Sequence, residues 1–482
     1  MLRMYVAAAA IFLFGGMAAG ADIANPILGK WSGTIEGPGG DHPEIALDIT
    51  ADAAGALAVS FYQPVLNVYG TPLTIEQNGA TYTLPELGAE LTLADGVLSG
   101  TVTRLKFPIR LRRTDTMPHD SPVPTNLPRG PEPAWQTKLG GSVYAAVAVR
   151  DGIAYIGTTG GVFNAVNVKD GTFVWTFSAG RPMYGEALVT ADAVYFVCDN
   201  GFLFKLDRAS GKEIWRYDLG DALVPRVVAH QTVFDWDYLA PRPALADGML
   251  YVGSGDGSLH AIDAATARRV WRFETKGKVR SEALVDGTRV YIGSLDNGVY
   301  AIDRKTGAQV WRQETRAPVT SSPSLIDGKI ISGNRGPGLV ALNPADGAIV
   351  WRALFWGSWV ESSAVAFGDR FYIGSSDLRR VSCYDPKDGR LVWRTDVFGW
   401  SWGRPAVTDK LVYVGVAGGS PYPIRHVPSL TALDRATGAI VWRWTPPESG
   451  ALQWGFPAGP AIEGKTLVIA ALDGTLYGFR LP

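Results

Sequence analysis

A tryptophan that recurs at a nearly constant spacing is the sequence feature that most restricts how this chain can fold. It occurs at positions 135, 175, 215, 271, 311, 351, 393 and 442, at intervals of 40, 40, 56, 40, 40, 42 and 49 residues. From the second onward, each tryptophan ends a unit such as AIDRKTGAQVW (301–311): a strand, an Asp- or Asn-led turn usually ending in Gly, and a second strand. A fixed period of this length indicates a repeat architecture.

Each repeat contains four predicted strands, because a further hairpin precedes the unit, as in EALVDGTRVYIGSLDNGVY (282–300). Glycine supplies the positive φ that such tight turns require, and four antiparallel strands per repeat are typical of a β-propeller blade. The last repeat (459–482) lacks a tryptophan-ended outer strand, and PAWQTKLG (133–140) carries the remaining tryptophan. We therefore predict an all-β chain with an eight-bladed propeller over 135–482. Pairing of that first strand with the last repeat would close the ring and remove exposed edges.

Residues 27–113 form a separate unit in the sequence. Short alternating runs predict a small antiparallel β-barrel or sandwich; they are GKWSGTI, EIALDITA, ALAVSFY, ATYTL, AELTLA, VLSGTV and FPIRLRR. The opening GKWSGTI and the closing IRLRR resemble the small lipocalin-like β-domains in front of several exported bacterial hydrolases. Residues 114–134 contain six prolines. Because proline cannot donate to sheet ladders, we interpret this segment as a semi-rigid linker.

The first 21 residues have the pattern of a signal peptide. Arg3 precedes an apolar stretch too short to span a bilayer comfortably, and Ala19-Gly20-Ala21 provides a cleavage site. No later segment is long enough for a membrane anchor, and no cysteine near the cut offers a lipid anchor. We therefore expect a periplasmic or secreted protein. Cys198 and Cys383 fall in blades 2 and 6, so we expect two separate buried thiols. The 45 basic and 46 acidic residues give no positive field for nucleic acid.

The repeat pattern AxDxxTGxxxW resembles that of the PQQ-binding propellers over residues 133–482. This group includes the quinoprotein alcohol dehydrogenases and the outer-membrane assembly protein BamB. For a dehydrogenase, the resemblance implies a quinone in the axial funnel, a Ca²⁺ that polarises it and a carboxylate that takes the alcohol proton. Glu186, Glu282 and Glu361 would offer oxygens, and Trp402 or Trp359 would stack beneath the quinone. The adjacent cysteine pair of many of these enzymes and a Cys-x-x-Cys-His haem motif are absent from the sequence. The sequence therefore leaves two alternatives open: the chain binds no cofactor, or it binds PQQ together with Ca²⁺.

Two insertions and a surplus of aromatic residues indicate the binding face. VVAHQTVFDWDYLAPRP (227–243) falls between blades 2 and 3, and GGSPYPIRHVPS (418–429) falls within blade 7. Both are expected on the same face, on opposite sides of the axial mouth, where insertions usually mark the binding surface. Aromatic residues outside the repeat pattern predict an apolar cup at this mouth; they are Phe234, Trp236, Tyr238, Phe355, Trp356, Trp359, Phe398, Trp400, Trp402, Trp454 and Phe456.

The repeat register also places one residue of each blade in a ring at the entrance of the innermost strands. The ring contains Ala146, Glu186, Arg242, Glu282, Ser322, Ser363, Arg404 and Gly459. The three neighbours at 186, 242 and 282 would also fit a plain ion-pair ladder. Arg280 and Trp402 each lie two residues before the ring position of their blade. Arg404 has no acidic residue at the ring position of the neighbouring blades 6 and 8. Arginines facing a water-filled funnel would favour an anionic ligand. The predicted ligand-binding residues are Arg242, Arg280, Arg404, Trp236, Trp356, Trp359, Trp402 and Trp454.

Three classes of function remain open from the sequence. The first is an exported propeller that binds a small anionic or aromatic ligand, or a protein partner, without catalysis. The second is a PQQ-dependent alcohol or sugar dehydrogenase. The third is a cofactor-free lyase or hydrolase with Glu186, Glu282 or Glu361 and His230 or His426 as acid and base. No cluster of His, Cys and carboxylate has the spacing of a metal site, so no metal residue is predicted.

Overall fold

The computed structural model describes residues 25–36, 42–102, 107–120, 124–222, 224, 226, 237–336, 338–356, 358–420, 422, 424–448 and 450–481. The predicted signal peptide lies outside these ranges. Within them the regular structure is β-sheet apart from two short 3₁₀ helices, Pro64–Leu66 and Pro85–Leu87. Over the same residues, no helix has the length and hydrophobicity that crossing a membrane requires. The chain divides into two compact units after residue 122, and the finer domain limits stay predictions.

The first unit is a single nine-stranded antiparallel sheet. Its strands are β1 Gly29–Ile35, β2 Glu44–Ala51, β3 Leu57–Gln63, β4 Val68–Leu73, β5 Glu76–Asn78, β6 Thr81–Leu84, β7 Ala89–Ala94, β8 Val97–Val102 and β9 Phe107–Arg113. They are hydrogen bonded in the order β4-β3-β2-β1-β9-β8-β7-β6-β5. All seven predicted runs form strands. The sequence did not indicate β4 and β5, because Gly70, Pro72 and three polar residues interrupt the alternation there.

The opening and closing runs of this unit pair with each other. In the β1–β9 register Trp31 faces Arg113, and the Arg113 guanidinium lies 4.3 Å from the centre of the Trp31 ring. Trp31 is buried and donates its indole N–H to the Ile27 carbonyl at 2.7 Å. A single sheet of this kind is compatible with the predicted small β-domain. The lipocalin-like character of the domain stays a prediction.

The second unit is an eight-bladed propeller, as predicted, with the strands of each blade hydrogen bonded in chain order from the centre outward. The strands of the first four blades are Ala148–Arg150, Ile153–Gly157, Val162–Asn167 and Phe173–Ser178 (β11–β14, blade 1); Leu188–Val189, Ala193–Cys198, Phe202–Asp207 and Glu213–Asp218 (β15–β18, blade 2); Ala244–Ala246, Met249–Gly253, Ser258–Asp263 and Arg269–Glu274 (β19–β22, blade 3); and Leu284–Asp286, Arg289–Gly293, Gly298–Asp303 and Gln309–Glu314 (β23–β26, blade 4).

The remaining blades follow the same order. Their strands are Ser324–Ile326, Lys329–Gly333, Gly338–Leu342 and Ile349–Leu354 (β27–β30, blade 5); Val365–Phe367, Arg370–Gly374, Arg380–Tyr384 and Leu391–Asp396 (β31–β34, blade 6); Ala406–Val407, Leu411–Gly419, Ser429–Asp434 and Ile440–Trp444 (β35–β38, blade 7), with Gln453–Gly455 (β39) paired to β36; and Ala461–Glu463, Thr466–Ala470 and Thr475–Arg480 (β40–β42, blade 8).

Blade 8 obtains its outer strand from the start of the array. Trp135–Lys138 (β10) pairs antiparallel with β42, with Trp135 opposite Gly478. The predicted closure of the ring is therefore confirmed. Cys198 and Cys383 are free and buried, in agreement with their prediction as separate thiols.

The repeat tryptophans connect each blade to the next. Six of them donate the indole N–H to a backbone carbonyl of the following blade at 2.9–3.0 Å; the pairs are Trp135–Val168, Trp175–Arg208, Trp271–Arg304, Trp311–Pro344, Trp351–Pro386 and Trp393–Arg435. The turn glycine of the following blade packs on the indole face. Gly307, for example, has φ +75°, and a Cβ there would lie 2.8 Å from the Trp271 ring. The glycine is thus needed both for its backbone conformation and for the close approach.

The joint between blades 2 and 3 departs from this rule. Its turn carries Ala267 at φ +58°, where blades 1, 2 and 4 to 7 have glycine. The equivalent acceptor, the Ala264 carbonyl, instead receives the Lys205 ammonium at 3.1 Å. The buried Trp215 indole nitrogen consequently has no hydrogen-bond partner among the described residues. This joint therefore lacks the indole hydrogen bond that the two neighbouring joints have.

The exception predicts opposite effects for two substitutions at equivalent turns. Ala267→Gly should stabilise the propeller by about 0.5–1 kcal/mol, because it relieves the left-handed strain of a residue with a Cβ. Gly307→Ala should destabilise it by about 1–3 kcal/mol, because a methyl group would press on Trp271. Thermal unfolding followed by circular dichroism measures both. An unchanged or lower melting temperature for Ala267→Gly would contradict the strain argument.

Candidate functional site

Four charged side chains of the predicted ring meet across the propeller axis. The Arg242 guanidinium lies 2.6 Å from Glu282 and 3.3 Å from Glu186, which forms a ladder through blades 2, 3 and 4. Arg404, in blade 7, pairs with the second carboxylate oxygen of Glu282 in blade 4. Because blades 4 and 7 are three positions apart in a ring of eight, this ion pair crosses the axis. The partner of Arg404 is thus neither in blade 6 nor in blade 8.

The charges of this quartet offset one another. Burial alone would raise the pKa of Glu282, but the charges of Arg404 and Arg242 hold it below its usual value. Burial raises the pKa of Glu186, and the two arginines only partly oppose that shift. The two guanidinium groups are held by carboxylates of the chain itself, so neither presents an uncompensated charge to a ligand.

Arg280 is also bound by a carboxylate of the chain. Asp237 lies at the end of the first insertion. It accepts two hydrogen bonds from Arg280, each at 2.8 Å, and a third from Lys278 at 2.6 Å. Arg226 donates to the Asp237 and Leu239 carbonyls at 2.7 and 2.8 Å. Although burial would raise the pKa of Asp237, these cations lower it to about 2. The end of the insertion is therefore fixed at the axial mouth by charge-assisted hydrogen bonds.

The aromatic residues at the mouth pack on one another. The Tyr238 ring lies 4.9 Å from Trp402 and 5.8 Å from Tyr144, and Trp402 stacks on Trp400 at 4.7 Å. Only 4% of Trp402 and 1% of Tyr238 is exposed. Tyr422 of the second insertion packs edge-on against Trp400. The described parts of the two insertions thus meet in one cluster, in which Tyr238, between blades 2 and 3, contacts Trp402 of blade 7 across the ring.

Glu361 lies beneath this cluster. One carboxylate oxygen accepts a hydrogen bond from Arg335 at 2.6 Å, and the other accepts the Tyr238 hydroxyl. The Glu361 side chain is completely buried. Burial raises the pKa of Glu361 well above its usual value, and the nearby charges of Asp377 and Asp237 raise it further. Both oxygens therefore have partners within the chain.

His426 is enclosed by the same aromatic residues. Its ring lies 4.2 Å from Trp400 and 5.0 Å from Tyr422, and its Nδ1 accepts the Gly419 backbone N–H at 3.2 Å. Burial lowers the pKa of His426 to about 3, so the imidazole is neutral at pH 7. The nearby Asp377 accepts hydrogen bonds from Trp400 and Tyr422 at 3.0 and 2.8 Å. The other ring nitrogen of His426, Nε2, is buried without a hydrogen-bond partner among the described residues.

Three further predicted site residues lie within the described part of the chain. Trp359 is half-buried beneath the Arg335 guanidinium, 4.3 Å from the ring centre. Trp454 lies in β39, opposite Gly418. Trp356 is half-buried with φ +51°. His230 and Trp236 lie outside the described residues, so their roles stay predictions.

Sequence reasoning missed the residues that close the axis. Asp237 follows an aromatic residue in the first insertion, and Arg335 occupies a repeat position that varies, with Asp199 in blade 2 and Leu295 in blade 4. Neither residue departs from a regular pattern, and the partners of both lie in other blades, so the sequence carried no signal for them.

The arrangement does not fit PQQ with Ca²⁺. The exposed fraction of Trp402 leaves no face for a planar ring, and Tyr238 occupies the adjacent space. The oxygens of Glu282 and Glu361 are bound to arginine or tyrosine, whereas a Ca²⁺ site needs several free oxygens. Among the described residues, no group of three His, Cys, Asp or Glu side chains is placed to hold a metal. What this site can do is fix the blades and both insertions to one another.

One protein-family model matches the part of the chain that contains the tryptophan repeats. The family model described as "Outer membrane protein assembly factor BamB" matches residues 130–224, 199–354 and 335–481. These ranges cover well over half of the sequence, so the chain belongs to this family.

Similarity to individual proteins is confined to segments. BamB of Yersinia pestis is 27% identical over 162 residues, which cover 33% of this chain and 39% of that protein. The quinohemoprotein alcohol dehydrogenase of Comamonas testosteroni is 33% identical over 132 residues, covering 26% of this chain and 18% of the enzyme. The chain thus matches less than two fifths of the length of either relative.

Solved structures share the fold. The crystal structure of the quinohemoprotein alcohol dehydrogenase of Comamonas testosteroni gives a TM-score of 0.54 at 15% identity, covering 73% of this chain and 77% of the enzyme. The computationally designed Ika8 protein gives 0.57 at 13% identity, covering 73% of this chain and all of that protein. At these identities the likeness concerns the propeller fold alone.

The Asp237 clamp gives a pH-dependent prediction. Asp237→Asn should lower the free energy of unfolding by about 3–5 kcal/mol at pH 7, because it leaves the buried Arg280 charge unpaired. The folded-state pKa of about 2 lies below the ordinary value of 3.8. The carboxylate therefore contributes fully above pH 4, and its contribution is lost as the pH falls toward 2. Urea unfolding at several pH values should show the difference from wild type shrinking over that window.

A matched control is Asp247→Asn, which removes a carboxylate that is 85% exposed and paired with Arg304. Its effect should stay below about 1 kcal/mol at every pH. Equal losses for the two variants would show that Asp237 is not a buried clamp.

Proposed function

We propose that this chain is an exported, non-catalytic propeller that binds a protein partner through its outer surface. The observation that carries the proposal is the occupied axis, where Arg404 reaches Glu282 and Tyr238 packs on Trp402. A propeller that fills its own funnel leaves its rim and loops for recognition. Protein partners can use such surfaces because they do not require a deep cavity.

Family membership supports the same class of function. The family carries the description "Outer membrane protein assembly factor BamB". Two relatives with this name match part of the chain. A role beside proteins of the outer membrane agrees with the signal peptide predicted from the sequence. We therefore place the partner among proteins of the cell envelope and the chain itself in the periplasm.

The two enzymatic alternatives have less support. A quinoprotein dehydrogenase needs room for the quinone, and the axial rings occupy it. A lyase or hydrolase needs an acid and a base that reach a substrate. Of the predicted groups, Glu282 and Glu361 are engaged by arginines, and His426 is buried with a pKa of about 3.

A cofactor titration tests the closed axis. Adding PQQ and Ca²⁺ to the purified protein should give no saturable absorbance change and no rise in melting temperature, because binding to the folded state would stabilise it. A quinohemoprotein alcohol dehydrogenase stripped of its quinone serves as the positive control. Saturable binding of PQQ to this chain would overturn the closed-axis argument.

Cells that lack this chain test the binding role. We expect them to contain less folded β-barrel protein in the outer membrane, measured by heat-modifiable mobility in gels. Wild type and Glu282→Gln should both restore the amount, because the substitution removes an acid–base group and keeps a hydrogen-bonding side chain. No deficit in the cells would contradict the proposed role. Failure of a folded Glu282→Gln protein to rescue would favour catalysis.

A further inference from the structure

The outer edge of blade 7 is occupied by an extended segment of the chain itself. The Arg443 N–H donates to the Pro128 carbonyl at 2.9 Å, and the Gly130 N–H donates to the Arg443 carbonyl at 2.7 Å. Glu132 accepts the Trp444 indole N–H at 3.1 Å. Glycine is required at 130, since a Cβ there would collide with the Trp442 ring. The outer strand of a blade can therefore accept an added strand with a small residue opposite its tryptophan.

Among the described residues, the outer strands of blades 1 to 6 pair with no further segment of the chain. Each is the last strand of its sheet and is paired on one side only. An aliphatic residue just before the repeat tryptophan is 37–56% exposed in seven blades, including the covered blade 7; these residues are Val174, Ile214, Val270, Val310, Val350, Val392 and Val441. Exposed edges with apolar side chains favour the addition of a further strand.

Charge separates these edges into two kinds. The residue after the tryptophan is Arg in blades 2 to 7. In blades 2, 3 and 4 it pairs with a carboxylate of its own blade at 2.7–2.9 Å; the pairs are Arg216–Glu213, Arg272–Asp256 and Arg312–Glu314. The arginine of blade 7 is buried and donates to the Val427 carbonyl at 2.7 Å.

Blades 5 and 6 leave this arginine without a carboxylate. Arg352 and Arg394 are exposed, and neither forms an ion pair within the described part of the chain. The repeat register explains the difference: the position of Asp296 in blade 4 is Gly336 in blade 5. In blade 6 the equivalent Asp377 points inward and accepts Trp400 and Tyr422.

A third arginine adds to the charge of this sector. Arg316, in the loop between blades 4 and 5, is exposed. Partial burial lowers the pKa of Arg352, and the nearby charge of Arg316 lowers it further. Neither arginine forms an ion pair with a described residue, and two like charges at close range favour the approach of an anionic group. We call Arg316, Arg352 and Arg394, with Val350 and Val392, the basic rim sector.

We infer that the basic rim sector binds an extended acidic segment of a protein partner, which adds to the outer strand edges of blades 5 and 6. The backbone of the segment would continue the sheet, as residues 128–130 do on blade 7. Its carboxylates would pair with the three arginines, and its aliphatic side chains would cover the two valines. This inference rests on the proposed function and names the chemistry of the partner.

A labelled peptide serves as the probe. It has the sequence of residues 126–134 with Arg129→Glu, so that it keeps the glycine and carries two carboxylates. Fluorescence anisotropy should show saturable binding to the full chain that weakens as salt is added. The triple variant Arg316→Gln, Arg352→Gln and Arg394→Gln should bind about tenfold more weakly or worse. The peptide with the natural Arg129 should also bind more weakly than the acidic one.

The chain provides a matched control for charge. The triple variant Arg216→Gln, Arg272→Gln and Arg312→Gln removes the same number of charges, from the three positions equivalent to Arg352 and Arg394 at which the arginine is already paired. Its affinity for the acidic peptide should stay within about twofold of wild type. Circular dichroism melts verify that both variants fold. No saturable binding to wild type, or equal losses in the two variants, would overturn the inference.

The rescue experiment separates this inference from the proposed function. If wild type restores outer-membrane β-barrel protein and the basic rim variant does not, both stand. Rescue by the basic rim variant as complete as by wild type would overturn the site and leave the function. If cells lacking the chain show no deficit, the proposed function fails, and the peptide measurements alone decide whether the sector binds acidic segments.

Discussion

The contact between a repeat tryptophan and the turn glycine of the next blade is the interaction on which the propeller depends. A flat indole fills the wedge between two diverging sheets, and its N–H donates to a backbone carbonyl of the next blade. Only glycine permits both the left-handed turn and the short distance to the ring. This joint recurs at six of the eight blade boundaries with hydrogen bonds of 2.9–3.0 Å, which favours a constant angle between those blades.

The centre of the circle is held by a different kind of force. The inner strands carry charged and aromatic residues, and in this chain they satisfy one another across the axis. Buried ion pairs contribute little net stability, but breaking one is costly, so they select one arrangement among many. The end of the first insertion is fixed by Asp237 and Tyr238 in the same way. The core of the propeller is therefore specified by packing at the joints and by polar pairing at the axis.

The sequence predicted the blades well and the axis only in part. The period of the tryptophans is a local signal that repeats, so it identified the eight blades and the closing strand. Register along the repeat correctly brought Glu186, Arg242 and Glu282 to one level. It could not show that Arg404 pairs with Glu282, because that contact joins blades 4 and 7 and depends on the diameter of the ring. Nor could it show the position of Asp237, which lies in an insertion that no other blade shares.

Closure of the ring by β10 and β42 determines when folding can be completed. Lys138 in β10 bonds Asp473 at 2.9 Å, 335 residues further along the chain. Blades 1 to 7 can form from neighbouring residues as synthesis proceeds, whereas blade 8 must wait for its last strand. Until then β10 lacks its partner strand, and the face of blade 1 that packs on blade 8 is uncovered. Contacts of such long sequence separation form slowly, so the interval before closure is the period in which the chain is most exposed to misassociation.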